Sequence, residues 1–405
     1  MNFNAFKDKI LGFAHLDLKK AALPICTYIQ LIPERGMIMN NLDNQVEKKF
    51  NYQGPHLCIE YKPLHDLIKN IKASTIDIEG NTDIVKVIID KGLMTEITST
   101  MIPQPIDDFP KMNDVICNQK QIIPCSSISK AVTIMKCCVK DQLRPIMGNV
   151  YFGKYTVATD ANILVFIKTA EEDANKYDHI DTSKYEIISQ EAISLLNNVE
   201  CNTNIVVMRS LNPDKPKDVE INTQAEYFLP YEKSERTEEM IALARQRAME
   251  ILKWGTTVKY IFGDTVITAH KPMEYYPNFL AVIPTDNPKK CNVMKKSLSE
   301  IIKIAKKHKI ITVKLIFNQL NQNITVLIED ADKGISMQRV IPAVIDYQHS
   351  CGNTFVIGFN TDKLEKTLSL SILPEKLNIE MSEPNRAIII NKEVLLMPVM
   401  ISGNE

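Results

Sequence analysis

The chain has 405 residues, 45% hydrophobic and 24% charged, with a formal net charge of −1. That length exceeds one compact core and predicts about two to four domains. A charge so close to zero excludes a globally basic nucleic-acid binder, so any such signal must lie in how the charge is distributed.

The first predicted element is an amphipathic helix, NAFKDKILGFAHL from Asn4. A β-like HLCIEY leads into a second helix, KPLHDLIKNI from Lys62, and a strand, TIDIEG, follows. DDFPKMNDV (107–115) sets an aromatic–proline pair at the exit of this unit. The order then recurs. SSISKAVTIMKCCV from Ser126 carries Ile128, Val132, Met135 and Val139 at helical spacing. KYEIIS, the helix SQEAISLLNNV from Ser189 and NIVVMR come next.

Residues 210–256 break the pattern with a polar loop, LNPDKPKDVEIN, and an added helix, SERTEEMIALARQRAMEILKW. Met240, Ala244, Ala248, Ile251 and Leu252 form its expected apolar side. TTVKYIFGDTVITAH and a second aromatic–proline exit, EYYPNFLAVIP (274–284), close the middle unit. The third unit opens on KSLSEIIKIAKKH from Lys296, with Leu298, Ile301, Ile302 and Ala305 as its stripe and Ser297 and Glu300 as an expected capping box. VKLIFNQLNQNITVLIED follows as two strands with a turn at Asn321–Asn323. TFVIGF, the helix NTDKLEKTLSL from Asn360 and LNIEMS complete the order, and the sequence finishes on the apolar EVLLMPVMISGNE.

The chain thus reads as α+β: three repeated domains, each with two helices packed on antiparallel sheets. The expected boundaries are 1–120, 121–288 with the insertion at 210–256, and 289–405. No stretch approaches the roughly 20 apolar residues of a membrane helix. The nine cysteines show no Cys-x-x-Cys pairing. We expect a soluble, cytoplasmic protein with reduced cysteines and no metal or cofactor.

Charge is unevenly placed. Lys7, Lys9, Lys19 and Lys20 face only Asp8 and Asp17 in the first helical segment. Lys130, Lys136, Lys140 and Arg144 face Asp141 in the second unit, and six lysines between 295 and 309 face Glu300. Lys62, Lys69 and Lys72 face Asp66. A basic bias recurring in all three units predicts one shared surface for a polyanion. With few aromatics among these lysines, contact with a duplex backbone fits better than stacking on single strands. Nucleotide-binding, zinc-protease and hydrolase motifs are absent from the sequence. The best catalytic candidate, Thr159, Asp160 and Asn162 in ATDANILVF, reads more simply as a turn between two strands.

The landmarks ALPICTYIQL, DDFPKMNDV, RPIMGNVYF, VATDANILVF, YYPNFLAVIP, FVIGFNTDKLEKTLSL and LLMPVMI stand in an order that resembles the β sliding clamp of bacterial DNA polymerase III. The resemblance covers nearly the whole chain apart from the insertion. It implies a non-catalytic processivity factor: a homodimer closing head to tail into a ring around double-stranded DNA, loaded by an ATP-driven clamp loader. Domains of this length are about 35 Å across, so six leave a hole of about 35 Å, whereas three leave about 5 Å, too little for a duplex about 20 Å wide.

The resemblance also implies a pocket in which polymerase, loader and repair proteins insert a short apolar peptide. Carried over, it comprises Met147, Thr159, Ala161, Asn162, Ile163, Leu164, Pro277, Ala281, Val282, Ile310, Asn360, Lys363 and Arg386, with Leu395, Leu396, Met397, Pro398, Val399 and Met400. The DNA-facing set is Lys7, Lys19, Lys20, Lys69, Lys72, Lys136, Lys140, Arg144, Lys303 and Lys307. The dimer contact is expected at Thr95, Ile97 and Ser99 against Ile301, Ile304 and Ala305. Two departures stand out: Ala161, Asn162 and Ile163 replace the family's Gly-His-Arg, and the ending is MPVMI rather than MPMRL. The alternative is a protein-interaction scaffold that keeps the clamp fold without encircling DNA.

Overall fold

The structure is a computed structural model. It describes residues 1–14, 16–18, 23–112, 115–139, 144–168, 186–197, 204–212, 215–226, 229, 232–270, 276–330, 334–347 and 354–401. One element order runs through it three times. The first pass is α1 (Phe3–Leu11), β1 (Tyr28–Ile32), β2 (Gly36–Asn40), β3 (Asn44–Lys49), β4 (Leu57–Glu60), α2 (Tyr61–Lys69), β5 (Ile76–Gly80), β6 (Val85–Ile89) and β7 (Ile97–Met101). The second is β8 (Gln119–Ile123), α3 (Cys125–Ile134), β9 (Asn149–Phe152), β10 (Tyr155–Thr159), β11 (Ile163–Lys168), β12 (Glu186–Ser189), α4 (Gln190–Asn197), β13 (Ile205–Leu211), β14 (Trp254–Phe262) and β15 (Thr265–His270). Between β13 and β14 stand α5 (Asp218–Ala225) and α6 (Glu238–Leu252). The third is β16 (Lys289–Met294), α7 (Lys295–Lys307), β17 (Thr312–Asn318), β18 (Asn323–Asp330), β19 (Ile335–Tyr347), β20 (Thr354–Asn360), α8 (Thr361–Leu368), β21 (Lys376–Met381), β22 (Ile388–Ile390) and β23 (Val394–Leu396). In the first pass a single bridge, Asn2 to Thr75, stands where β8 and β16 stand in the others.

The repeat is also visible in strand order. β4-β1-β2-β3, β12-β9-β10-β11 and β20-β17-β18-β19 each place the fourth strand beside the first, the Greek-key order. The chain forms two compact units. The first, Met1–Ser129 with Ile188–Tyr275, holds the eight-stranded sheet β4-β1-β2-β3-β15-β14-β13-β8 and the three-stranded sheet β5-β6-β7. Its α1 buries Phe3, Phe6 and Ile10, and α2 buries Tyr61, Leu64 and Ile68. The second, Lys130–Ile187 with Tyr276–Glu405, holds the twelve-stranded sheet β12-β9-β10-β11-β23-β22-β21-β16-β19-β18-β17-β20, of β12 only Glu186 and Ile187. Its α7 buries Leu298, Ile301, Ile302 and Ala305, the stripe expected from spacing. Each Leu or Ile so buried stabilises by about 1.5–3 kcal/mol relative to exposure.

Several local expectations are corrected. α3 is buried along Ile128, Ala131 and Ile134, and the line continues at Cys137. Val132, Met135 and Val139 are only half-buried, because a 3-10 turn over Met135–Cys137 keeps the three-residue period going. The capping box does not form. β16 runs straight into α7, so Ser297 lies inside the helix and Glu300 pairs with Arg339 at 2.9 Å. In the insertion, Ala244 and Ala248 pack against Ile221 and Ala225, with Leu252 at the margin, while Met240 is exposed. The Ile251 side chain lies outside the described residues. Cys125 is disulfide-bonded, against the expectation of uniformly reduced cysteines; its partner lies outside the described residues.

Candidate functional site

The turn joining β10 to β11 is built around one carboxylate. Asp160 Oδ1 accepts the backbone N–H of Ile163 at 2.8 Å and of Asn162 at 3.1 Å. Its Oδ2 accepts from Lys363 Nζ at 2.7 Å and Lys366 Nζ at 3.3 Å, both on α8. Only 2% of the Asp160 side chain is exposed. Burial pushes its pKa up, but the Lys363 hydrogen bond, the Ile163 amide and both ammonium charges outweigh it and hold the carboxyl below its ordinary value. Ala161 sits at φ 69°, the left-handed conformation that glycine would adopt without strain. Thr159 Oγ1 closes the turn by donating to the Ile163 carbonyl.

The C-terminal apolar run hangs on this turn. β23 lies between β11 and β22, in register Leu164↔Leu395 and Ile389↔Leu395. Beyond it the Met397 amide donates to the Asn162 carbonyl at 2.8 Å, and the Val399 amide to the Gly358 carbonyl at 2.9 Å. The chain crosses β20 at Gly358, where an added Cβ would stand 2.6 Å from Ile401. Pro398 falls past the ladder, where its missing N–H costs nothing.

The carried-over pocket residues divide by burial. Thr159, Ile163, Leu164, Ile310, Leu395 and Leu396 are buried. Buried in this way, they offer no surface to a peptide. Met147, Pro277, Asn360, Lys363, Pro398 and Val399 are half-buried; Ala161, Asn162, Ala281, Arg386 and Met397 are exposed. Val282 is 59% exposed and Met400 84%. Sequence reasoning left out Lys366 and Gly358, and it singled out Asp160 only within a catalytic candidate that read more simply as a turn between two strands; the turn is what forms.

The basic faces divide in the same way. Lys69, Lys72, Arg144, Lys303 and Lys307 are exposed. Lys7 is instead engaged, its Nζ donating to the Ile71 carbonyl at 2.9 Å, and Lys136 donates to the Ser369 carbonyl at 2.9 Å. On α7, Lys306 pairs with Glu365. Lys19, Lys20 and Lys140 lie outside the described residues.

Of the expected dimer residues, Thr95 and Ile97 are exposed and Ser99 half-buried on or beside β7, the outer strand of its sheet. Ile304 is 41% exposed. Ile301 and Ala305 are buried in their own unit, so they are corrected from contact to core. A further open edge escaped sequence reasoning. Residues 335–342 of β19 pair with β18 and residues 343–347 with β16, leaving one side of the first half without a strand among the described residues.

No trio of metal-ligating side chains comes together among the described residues, and no helix among them is long and apolar enough to cross a membrane. No protein-family model matches the chain, and no curated protein matches it in sequence. Solved structures do match in shape. The DNA polymerase III subunit beta from Pseudomonas aeruginosa gives a TM-score of 0.73 at 13% identity, over 99% of both chains. The corresponding subunit from Thermotoga maritima gives 0.71 at 16%, over 99% of both. The sliding clamp from Bartonella birtlesii bound to griselimycin gives 0.72 at 16%, again over 99% of both. Identities this low speak for architecture alone, and on that evidence the chain has the threefold fold of the DNA polymerase III β sliding clamps.

Proposed function

We propose that the chain is a DNA sliding clamp, a non-catalytic factor that encircles duplex DNA and tethers a polymerase to it. The observation that carries this reading is the full-length likeness: the match spans 99% of this chain and 99% of the length of each of these two clamp subunits, with no repeat missing. Two copies close head to tail, the β7 edge of one meeting the third repeat of the other near Ile304 and the open half of β19. Head-to-tail contacts generate rings when the rotation closes. Exposed Lys69, Lys72, Arg144, Lys303 and Lys307 face phosphates without reading bases, so the ring slides. Its hold is topological and keeps the polymerase at high effective concentration on its template.

Partners dock through apolar peptides laid over Val282, Val399 and Met400 on the floor of Leu395 and Leu396. Burying two or three large side chains, at about 1.5–3 kcal/mol each before ordering costs, corresponds to roughly micromolar binding. Griselimycin, which the Bartonella birtlesii clamp binds, is a ready probe of this groove. The decisive experiment compares retention after loading on nicked circular DNA and on the same DNA linearised. A topological clamp stays on the circle and runs off the ends. Equal retention on both would favour the scaffold that keeps the fold without encirclement.

A further inference from the structure

We propose that Asp160 is the positioning residue of the groove: by tying α8 to the β10–β11 turn, it fixes where Asn162 presents its carbonyl to Met397, and so where the C-terminal strap lies. The inference rests on the groove reading above.

The two oxygens of Asp160 serve different elements. Oδ1 takes two backbone amides of its own turn, and Oδ2 takes two ammonium groups one helical turn apart on α8. The helix itself is held at its start by Asn360, whose side chain accepts the Lys363 amide. Asn162, the residue whose carbonyl receives Met397, is thus itself bound through its amide to Asp160. A shift of α8 moves Asp160, Asn162 and Met397 together. No local sequence pattern signals this link, since Asp160 and Lys363 are 203 positions apart.

Asp160→Asn separates the two roles. An amide oxygen still accepts from the Asn162 and Ile163 amides, so the turn keeps its shape. Its NH2 group then faces Lys363 and Lys366, donor against donor, and the tie to α8 is lost. Lys363→Met with Lys366→Met breaks the same tie from the helix side and leaves the turn untouched. It serves if the first variant fails to fold.

The test uses the full chain, uniformly 15N-labelled, with amide exchange followed residue by residue. The Met397 amide should exchange at least about tenfold faster in either variant, the weight of one charge-assisted contact. The β23 amides should stay protected, which a general loosening of the fold would not allow. Griselimycin affinity should fall about tenfold in parallel. Unchanged Met397 exchange in a folded variant overturns the inference, and so does faster exchange with undiminished griselimycin binding. If the unaltered protein fails to bind griselimycin, the groove reading falls instead, while the exchange comparison still decides whether Asp160 positions the strap.

Discussion

Lys306 Nζ lies 2.9 Å from a carboxylate oxygen of Glu365, and Asp362 stands 3.6 Å away on the same helix. The Glu365 hydrogen bond raises the Lys306 pKa, so this cation is answered from within the fold. Lys303 and Lys307, on the same α7, make no ion pair among the described residues. The double variant Lys303→Ala, Lys307→Ala should lower the salt slope of duplex binding by about two, near 0.9 for each phosphate no longer neutralised. Lys306→Ala should leave the slope unchanged. Titrations at several salt concentrations check this, and an equal effect from Lys306→Ala would defeat the assignment.

Ile304 and Ile301 share a helix but not an environment. Ile304→Asp places a charge on an exposed position that ring closure would bury, so the dimer should fall apart into folded monomers. Ile301→Asp puts the charge in the core and should unfold the unit. Mass measurement in solution alongside circular dichroism separates the two outcomes. A tight dimer persisting with Ile304→Asp would move the interface elsewhere.

Removing residues 399–405 takes away the Val399 bridge to Gly358 and leaves β23 paired on both sides. Folding and dimerisation should survive, and griselimycin binding should be abolished. Calorimetry is the direct check; undiminished affinity in a folded truncation would reduce the tail to a last strand.

Lys48 on β3 is buried, with Thr265 Oγ1 3.5 Å from its ammonium and the Phe13 ring 5.7 Å away. Burial, then repulsion from Lys9 on α1, lowers its pKa to about 8 from the ordinary 10.5; Lys9 itself pairs with Asp264. Between those two values the unfolded chain holds a proton that the folded chain has given up. Stability linked to Lys48 therefore rises with pH across that window, and the penalty is complete below pH 8. Lys48→Met should be the more stable protein at pH 7, by on the order of 3 kcal/mol. The advantage should shrink toward zero by pH 10.5. Denaturant melts at several pH values test both the sign and the window.

The inserted helices leave and rejoin the sheet at adjacent points. Leu211 pairs with Trp254, and the Asn212 amide donates to the Lys253 carbonyl at 2.8 Å. Replacing residues 213–252 by a short glycine-containing turn should therefore keep β13 and β14 paired. Retention on circular DNA should be unchanged; its loss would give the insertion a part in the ring.

Much of this was legible in the sequence. Leu298, Ile301, Ile302 and Ala305 announced the buried face of α7, and the turn near Asn321 fell between β17 and β18. Periodicity names a buried face but not what buries it. Ile301 and Ala305 looked equally suited to a partner and to their own core, and the core took them. Leu395 and Leu396 were likewise ambiguous until β11 and β22 closed on either side. Ion pairs such as Lys306 with Glu365, and the Asp160 hub, join residues far apart in sequence, where no local pattern operates.

The seam between β11 and β23 sets a timetable for synthesis. Leu164 finds its ladder partner only when Leu395 is made, about 230 residues later and roughly ten to fifty seconds at ribosomal rates. Until then the backbone groups of Asn162, Leu164 and Phe166 stand along an unsatisfied strand edge, a template for pairing with the wrong chain. The nascent protein should therefore depend on a holding chaperone until Val394–Leu396 have left the ribosome, however stable the finished fold.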